Sequence, residues 1–595
     1  MKKTKILILF TILTVAFTAC QKDFLERTPK TAISDGDYWR NANDLRLYVN
    51  NFYNGLPSYI QAYFSAGIFS IDDYSGTDNM VNREYSRFLN GERTLPTSGG
   101  GWSAGDWSSI RNVNYFLGKY HSATGDVAEI NKYLGEALYF KAYYYFDKLK
   151  TWGDLPWISK TLSTTDSLDL YSPRLPRNIV ADSIIGILDK AIELLPGKGE
   201  AGYENFRIYK EVAQLFQSRI ALYEGTWQRY HAGTPYGVAG SDGSKYLQKA
   251  ASAAEAVMNS GKFELDNVGV ENGYWNLFNQ LSYANSKEVM FWRQYNGDDG
   301  NYTLIARYAA QGGGRGITKS LVDSYLSIDG KPIAVSPLYR GDATLIDVAT
   351  DRDPRLAQTV QINDGKHYLV DTARFWRPAI QGANEDRNYT GYQIYKGLNT
   401  DGRQHDVGKG TQGLIYYRYA EALLNLIEAK AELGTATQAD VDKTINLLRK
   451  RVGMPNLVIA NIAIDPNWQF PGLSPLINEI RRERRVEFAV EGYRHDDIWR
   501  WAAAGVLIDG WKPKGAKRAQ FMGMLANPED PSEGTLDEIV TSLYPIDESG
   551  YIFPYKNNVV GANGFNFRTD RDYLNPLPAD QLLLNPQLTQ NPGWE

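Results

Sequence analysis

Cysteine, histidine and long apolar runs are all scarce in this sequence of 595 residues. The one cysteine, Cys20, allows no intrachain disulfide, so the stability of the protein has to come from a packed core. The five histidines never occur at the HxH or HxxxH spacing of zinc sites. Beyond the first twenty residues, no apolar run is long enough to span a bilayer. The sequence therefore predicts no catalytic residues, no metal site and no embedded membrane segment.

The charge of the chain is close to balanced. Its formal net charge is −5 at pH 7, and its isoelectric point is about 5.8. Basic residues concentrate in one short run, 481–485, which also contains a glutamate. Because nucleic-acid binding needs a concentrated positive surface, we expect no nucleic acid among the partners.

The N-terminus has the three parts of a secretory signal. Three lysines within the first five residues precede a twelve-residue apolar run, 6–17, and two small residues then lead to Cys20. This is the pattern of a bacterial lipoprotein signal, in which residues 1–19 are removed and the Cys20 thiol is lipidated, with palmitate among the expected acyl chains. The alternative is an ordinary cleaved signal followed by a chance cysteine. Lipidation predicts a protein anchored to a membrane through its lipid.

Apolar residues recur at helical spacing in several segments, which predicts a mainly α fold. The stripes cover residues 134–150, 180–195, 211–224, 247–258 and 416–431. Asn178 is a plausible N-cap for the second stripe. Thr437 and Asp440 form a capping box that opens a further helix ending at Gly453. Helices joined by a few residues form antiparallel pairs, so the pattern indicates a tetratricopeptide-like (TPR-like) helical scaffold without a strict 34-residue repeat.

Long loops and abundant aromatic residues set the rest of the sequence apart. The loops 67–109, 225–243, 295–316 and 361–413 are rich in glycine, asparagine, aspartate and tyrosine. Loops of this length in a compact protein are normally functional. Aromatic residues make up 13% of the chain, with 40 tyrosines against 22 phenylalanines. The excess of tyrosine favours rings whose hydroxyl group reaches water or a hydrogen-bond partner. Such rings suit the faces of sugars, so the composition hints at carbohydrate contact.

Residues 481–501 combine many charges with helical spacing. Glu483, Glu487 and Glu491 fall at i, i+4 and i+8, and Arg484 and Arg494 lie three residues from an acid. One interpretation is an anion or acid/base site. Gly492 permits the helix to stop. We favour a structural ladder of charges that locks this helix to its neighbours, because every acid has an arginine within reach.

Several of these segments together resemble the SusD/RagB family of outer-membrane lipoproteins. The motifs are RRERRVEFAVEGYRHDDIWRW at 481–501, the tail YLNPLPADQLLLNPQLTQNPGW at 573–594 and GEALYFKAYYYFDKLKTWGDLP at 135–156. The proline-rich tail is expected to wrap over the body, anchored by Tyr573, Leu577 and Trp594. The resemblance divides the mature chain into an N-terminal region with TPR-like helices, 20–230, and a C-terminal region, 231–595, that carries the loop-rich ligand-binding portion.

The resemblance also implies a function. It implies a non-catalytic lipoprotein of the outer membrane that faces the cell exterior, captures an oligosaccharide and delivers it to a SusC-like TonB-dependent transporter. Some relatives handle peptides, so a peptide-capturing RagB-like protein is one alternative. A lipid-anchored glycosidase is another, although neighbouring aspartates such as Asp496 and Asp497 do not establish the separation that a glycosidase needs.

The resemblance supplies no motif for ligand contacts, so candidate residues are chosen by their place in long loops and their chemistry. Aromatic rings cover the faces of a sugar, while amides, carboxylates and arginines bind its hydroxyl groups. The candidates are Trp102, Asp106, Trp107, Trp292, Tyr295, Asn296, Tyr302, Arg307, Trp376, Arg377 and Tyr389. Each alone is also consistent with core or loop packing. Trp499 and Trp501 are expected to be structural.

No cofactor is predicted. The oxygen-rich run 298–301 could bind a structural calcium ion, but it lacks the EF-hand spacing and is better explained as a loop turn.

Overall fold

The computed structural model describes residues 38–57, 77–266, 269–362, 380, 387–527 and 530–595, and the backbone of 368–370 and 373–375. The signal segment, Cys20, Trp376 and Arg377 lie outside these ranges. Predictions at those positions therefore rest on the sequence.

Helices dominate the described chain. In chain order they are α1 Ala42–Asn50, α2 Ser108–Lys119, α3 Val127–Trp152, α4 Ser167–Leu170, α5 Arg177–Leu194, α6 Lys210–Tyr230, α7 Ser244–Asn259, α8 Gly273–Leu277, α9 Ile305–Gln311, α10 Lys319–Ser324, α11 Leu345–Ala349, α12 Arg355–Thr359, α13 Tyr419–Glu432, α14 Gln438–Asp442, α15 Ile445–Arg451, α16 Pro475–Glu487, α17 Arg494–Arg500, α18 Ala504–Leu507, α19 Leu536–Leu543, α20 Val559–Asn563 and α21 Ala579–Leu584. Among the described residues, no helix is both long and apolar enough to cross a bilayer.

The long helices pack side by side around one main core. Helix α3 packs on α5, α6 packs on α7, and α13 packs on α7. Small residues such as Ala221, Ala250 and Ala254 are fully buried where these helices meet, which lets their backbones approach closely. The predicted mainly α scaffold of packed helices is confirmed.

Short antiparallel strands connect distant parts of the chain. They are β1 Met80–Asn82, β2 Val289–Arg293, β3 Arg315–Ile317, β4 Tyr368–Val370, β5 Ala373–Phe375 and β6 Leu414–Arg418. Strand β1 pairs with β3, β4 with β5, and β2 with β6, with Val289 opposite Arg418. Because β6 runs directly into α13, this pairing fixes the side chains at the junction.

Several predicted helix boundaries were wrong. Helix α5 begins at Arg177, and the backbone N–H of Arg177 donates to the Asp154 carboxylate at 2.8 Å, so a distant aspartate replaces Asn178 as the cap. Tyr416 belongs to β6, since it lies in a strand that pairs with β2. The capping box at Thr437 is confirmed, but its helix breaks at Thr444, whose backbone leaves the helical region.

The helix predicted from Arg481, with Gly492 as its possible stop, begins earlier, at Pro475, and ends earlier, at Glu487. Helix α16 ends at Glu487 and α17 begins at Arg494, with left-handed φ angles of 57° at Val490 and 84° at Gly492 between them. Glu491 therefore lies beyond the end of α16 and is not on the same helix as Glu483 and Glu487. Its carboxylate instead contacts the side chains of Arg418 at 2.7 Å and Lys396 at 2.6 Å.

The charges of this segment are structural and lock the helix to its neighbours, as predicted. Glu487 is fully buried and contacts Arg355 at 3.0 Å, Arg418 at 2.7 Å and Arg451 at 2.5 Å. The predicted partners of the arginines were wrong. Arg484 binds Asp497 at 2.8 Å and Arg494 binds Asp78 at 2.7 Å. Helix α16 is thus held by ion pairs to segments from across the chain.

The C-terminal tail covers the helical body, as predicted. Tyr573, Leu577 and Trp594 are buried, and the Trp594 indole donates to the carbonyl oxygens of Arg571 at 3.1 Å and Leu574 at 3.2 Å. Trp499 and Trp501 are also buried, which confirms their structural assignment.

We expect the buried His231 to make stability depend on pH. Its ring stacks on Trp227 at 4.0 Å, and Nε2 lies 2.9 Å from the Trp499 carbonyl oxygen. Burial lowers the pKa of His231 to about 3. In the unfolded chain His231 has its ordinary pKa of about 6.5, so the unfolded chain binds a proton at a higher pH than the folded protein does. The free energy of unfolding therefore falls as the pH drops below about 6.5. His231→Gln should remove up to about 1.4 kcal/mol per pH unit from the slope of unfolding free energy between pH 6.5 and 4.5.

Urea denaturation at several pH values measures that slope. The matched control is His121→Gln, at an exposed position, which should keep the wild-type slope. Equal slopes for the wild type and His231→Gln would contradict the prediction.

Candidate functional site

A cavity of about 340 Å³, here called the central cavity, lies where α3, α6 and β6 meet the turn that precedes α17. Its volume falls within the usual range of small-ligand pockets, about 300–1,000 Å³. Its lining includes the partly exposed side chains of Tyr143, Lys150, Arg219, Tyr416, Tyr493 and Asp496, and the exposed Asp147 lies beside them. The cavity thus combines tyrosine rings with charged groups of both signs.

Different elements bring these side chains together. Tyr143, Asp147 and Lys150 follow one another at i, i+4 and i+7, so they share one face of α3. Arg219 comes from the middle of α6 and Tyr416 from β6. Residues that are far apart in sequence therefore form one wall.

The lysine of the cavity is held by an aspartate. Lys150 Nζ lies 2.9 Å from the Asp496 carboxylate. Burial lowers the pKa of Lys150, but Asp496 and Asp147 more than offset this and raise it overall. Burial likewise raises the pKa of Asp496, yet Lys150 brings it well below its usual value. Asp496 therefore stays ionised at neutral pH and is not prepared to act as a proton donor.

The arginine of the cavity is also fixed. Arg219 donates to both carboxylate oxygens of Glu421, at 2.6 and 2.7 Å, and to the Tyr493 hydroxyl at 3.0 Å. Its guanidinium lies over the Tyr417 ring, 4.6 Å from the centroid. Burial lowers the pKa of Arg219, but Glu421 raises it well above its usual value. The guanidinium is thus a rigid, permanent charge.

Tyr416 also lines the cavity. Its hydroxyl donates to the Pro57 carbonyl oxygen at 2.5 Å, and Leu56 and Pro57 also line the cavity. The ring stacks on Phe291 at 5.5 Å between centroids, which fixes its plane. A rigid ring beside hydroxyls and fixed charges can hold a polar ligand with apolar faces.

The predicted ligand residues do not form this cavity. Within the ranges that the structure describes, none of them lines it. Trp102 is buried, with its ring 5.2 Å from those of Trp107 and Trp152. The Asp106 carboxylate accepts from the Ser103 backbone N–H at 2.8 Å and closes a turn. Trp107 is half-buried, with the Lys148 ammonium 4.6 Å from its ring. This group packs at the start of α2.

A second group of predicted residues packs around β2. Trp292 and Tyr295 are buried, and the Trp292 ring lies 5.4 Å from that of Tyr283. Asn296 accepts from the backbone N–H of Asp298 at 3.2 Å and donates to the carboxylate of Asp299 at 2.6 Å. The run at 298–301 therefore forms a tight turn, as the loop-turn interpretation predicts. Within the described ranges, no three histidine, cysteine, aspartate or glutamate side chains converge as a metal site.

The remaining predicted residues occupy the loops near β3. Tyr302 and Tyr389 are half-buried, and the Tyr389 backbone N–H donates to the Arg315 carbonyl oxygen at 3.0 Å. Arg307 lies on α9 and donates to the His405 carbonyl oxygen at 3.2 Å. These contacts stabilise the loops themselves and leave part of each tyrosine ring accessible.

Sequence reasoning missed the residues of the central cavity. One signal was present, the helical spacing of Tyr143, Asp147 and Lys150. The tyrosine pair at 416 and 417 was assigned to a helical stripe and so was not considered as part of a binding wall. The juxtaposition of α3, α6 and β6 is a tertiary feature that spacing does not reveal.

Comparisons with known proteins agree on one family. The model of the "SusD family" matches residues 277–594, and a model described as "Starch-binding associating with outer membrane" matches residues 23–222. SusD-like protein P2 of Formosa agariphila is 24% identical over the full length of both chains. SusD-like protein P38 of the same organism is 29% identical over 174 residues, which are 28% of this chain and 33% of that protein.

Solved structures show the same fold. A SusD-like carbohydrate-binding protein from Bacteroides fragilis superposes with a TM-score of 0.69 at 20% identity, covering 93% of this chain and all of that one. A second SusD-like protein from Bacteroides fragilis gives 0.68 at 21% identity over 95% of this chain and all of its own. A laminarin-binding SusD-like protein gives 0.57 at 18% identity over 93% of this chain and all of its own. The TPR-like helical scaffold is therefore a SusD-like fold.

Proposed function

Since the chain belongs to the SusD family, whose model matches more than half of it, we propose that it is a non-catalytic lipoprotein that captures an oligosaccharide in the central cavity. We further propose that it faces the cell exterior and delivers the oligosaccharide to a SusC-like TonB-dependent transporter in the outer membrane. Carbohydrate binding and association with the outer membrane are supported at the level of the family. The lipid anchor at Cys20 and the transporter partner are inferences from the sequence and its resemblance.

The observation that carries the proposal is the composition of the cavity wall. Tyr143 and Tyr416 offer partly exposed rings, while Arg219, Lys150 and Asp496 offer hydrogen-bonding groups whose positions are fixed by ion pairs. A sugar presents C–H faces to rings and hydroxyls to charged groups, so both of its surfaces find partners. Because these side chains are already held in place, binding a sugar costs them little conformational entropy.

The same contacts support a binding role over hydrolysis. A glycosidase needs one carboxyl group with a raised pKa as its acid. In the cavity, Lys150 keeps the pKa of Asp496 low, although burial alone would raise it. Glu491 pairs with Arg418 and Lys396, and Asp497 pairs with Arg484. These carboxylates are engaged in ion pairs that hold the fold together.

We expect the double variant Tyr143→Ala, Tyr416→Ala to weaken oligosaccharide binding. Two ring contacts at about 0.5–1.5 kcal/mol each correspond to about a 5- to 150-fold loss of affinity. A glycan array on the purified protein first identifies a ligand, and calorimetric titration then compares the variants. Chromatography of the same mixtures should detect no shortened sugar, because the protein binds without cleavage.

Two matched variants make this experiment specific. Tyr416→Phe keeps the ring and removes the hydroxyl bond to Pro57, so it should retain most of the affinity. The triple variant Trp107→Ala, Tyr302→Ala, Tyr389→Ala tests the predicted loop residues instead. A loss confined to the triple variant would move the ligand site to the loops. Saturable binding of peptides but of no glycan on the array would favour the peptide-capturing alternative.

A further inference from the structure

The cations that line the central cavity all have carboxylate partners. Lys150 and Arg219 are paired with Asp496 and Glu421. The buried arginines of the lining, Arg418, Arg484 and Arg500, each contact a glutamate or an aspartate at 2.5–2.8 Å. Their positive charges are therefore already balanced within the protein.

Asp147 is the exception among the charged residues of the lining. Within the part of the chain that the structure describes, its carboxylate makes no hydrogen bond and no ion pair. Burial lowers the pKa of Lys150, whereas Asp496 and Asp147 both raise it, so both carboxylates act on the same ammonium group. One positive charge between two negative charges leaves one negative charge unbalanced at this wall.

The unpaired carboxylate lies beside an aromatic ring. Asp147 is exposed, so a ligand that enters the cavity can reach it. Tyr143 precedes it by one turn of α3, which places the two Cβ atoms about 5–6 Å apart on one face of the helix. The face of a tyrosine ring is negative and attracts cations. A cation in the cavity can therefore contact a carboxylate and a ring together.

The same wall is unfavourable for an anion. To bind one, Lys150 would have to leave Asp496, or Arg219 would have to leave the two hydrogen bonds that it donates to Glu421. The unpaired Asp147 would in addition repel the anion. A neutral sugar avoids this repulsion but leaves the charge of Asp147 unbalanced.

We propose that the central cavity prefers a saccharide that carries a protonated amino group, namely a hexosamine unit whose amine is not acetylated, and that Asp147 determines this preference. The ammonium group donates hydrogen bonds to the carboxylate, and the ring of Tyr143 adds a cation–π contact. Acetylation removes the charge, so an N-acetylated unit lacks both contacts. This inference rests on the proposed capture of an oligosaccharide and narrows its ligand class.

Calorimetric titration of the full chain in detergent with two disaccharides of the same β-1,4 linkage tests the proposal. The glucosamine disaccharide carries amines where cellobiose carries hydroxyls. At about pH 6 the amines are protonated and an ordinary aspartate is ionised. An exposed ion pair and a cation–π contact together correspond to about 3- to 30-fold tighter binding of the amino sugar. The difference should shrink as sodium chloride is added.

Three results of this titration would overturn the proposal. The first is an amino sugar that binds less than about threefold tighter than cellobiose, or not at all. The second is an N-acetylglucosamine disaccharide that binds as tightly as the free amine. The third is trilysine binding more tightly than the amino sugar, which would assign the carboxylate to peptide capture.

Asp147→Asn locates the preference. It keeps the shape of the side chain and removes its charge, so the ratio of the two affinities should fall to about one. Glu129→Gln is the matched control, because it removes an exposed acid from the same helix about 27 Å away. This control should keep the wild-type ratio. A wild-type ratio in Asp147→Asn would refute the role of this residue.

Failure of the preference can be told apart from failure of glycan capture. If neutral or acidic glycans bind, and Tyr143→Ala, Tyr416→Ala weakens that binding, the proposed function stands and only the preference for an amine is overturned. If no glycan of any charge binds, both are overturned.

Discussion

Replacing Glu487 by glutamine is expected to lower the free energy of unfolding by about 3–5 kcal/mol. This one carboxylate contacts Arg355, Arg418 and Arg451, which come from three separate segments of the chain. All four side chains are almost fully removed from water. Glutamine has nearly the same shape but no charge, so it removes one of the carboxylates that compensate these three buried guanidinium groups. Urea denaturation followed by circular dichroism measures the difference.

The control for this experiment is Glu193→Gln. Glu193 also lies on a helix and is paired, with Lys190 at 2.8 Å, but both side chains are exposed. Exposed pairs contribute about 0–1 kcal/mol, so this variant should unfold close to the wild type. A change below about 1 kcal/mol for Glu487→Gln would show that the buried cluster is not a main source of stability.

The second large effect is expected at the N-terminus, where Cys20→Ser should release the protein from membranes. The sequence predicts that the Cys20 thiol carries the lipid. Each buried CH₂ group of an acyl chain contributes about 0.8 kcal/mol, so losing the chains removes essentially all of the membrane affinity. Fractionation of cells into membrane and soluble material measures the distribution.

Thr18→Ser is the matched control for this variant. It keeps a small residue before the cysteine and should leave the protein in the membrane fraction. Labelled palmitate should be incorporated into the wild type and the control but not into Cys20→Ser. Membrane retention of Cys20→Ser after a carbonate wash would argue against lipidation.

Local signals in the sequence predicted local structure well. The capping box at Thr437 depends on two residues three positions apart in the chain. The first residue of α5 could not be predicted because its cap is the carboxylate of Asp154. The stop at Gly492 was visible in the sequence, but the earlier end of α16 at Glu487 and the left-handed backbone at Val490 were not.

The candidate site was harder to predict from the sequence, because it too depends on residues that are distant in the chain. Trp102 and Trp292 have the chemistry of sugar-binding residues, but their burial assigns them to the core. Tyr143, Arg219 and Tyr416 form one wall only because three elements meet in space. Residue type predicts what a side chain can bind, whereas exposure depends on tertiary packing.

The C-terminal tail has a consequence for biogenesis. The Asn575 backbone N–H donates to the Thr151 carbonyl oxygen at 2.9 Å, and the Asn591 side chain accepts from Arg174 at 2.6 Å. Leu577 belongs to the same apolar core as Leu45 near the other end of the described chain. Because the chain is synthesised from its N-terminus, this core cannot be completed until residues 573–594 have been made. Until then part of its apolar surface stays exposed to water and prone to aggregation.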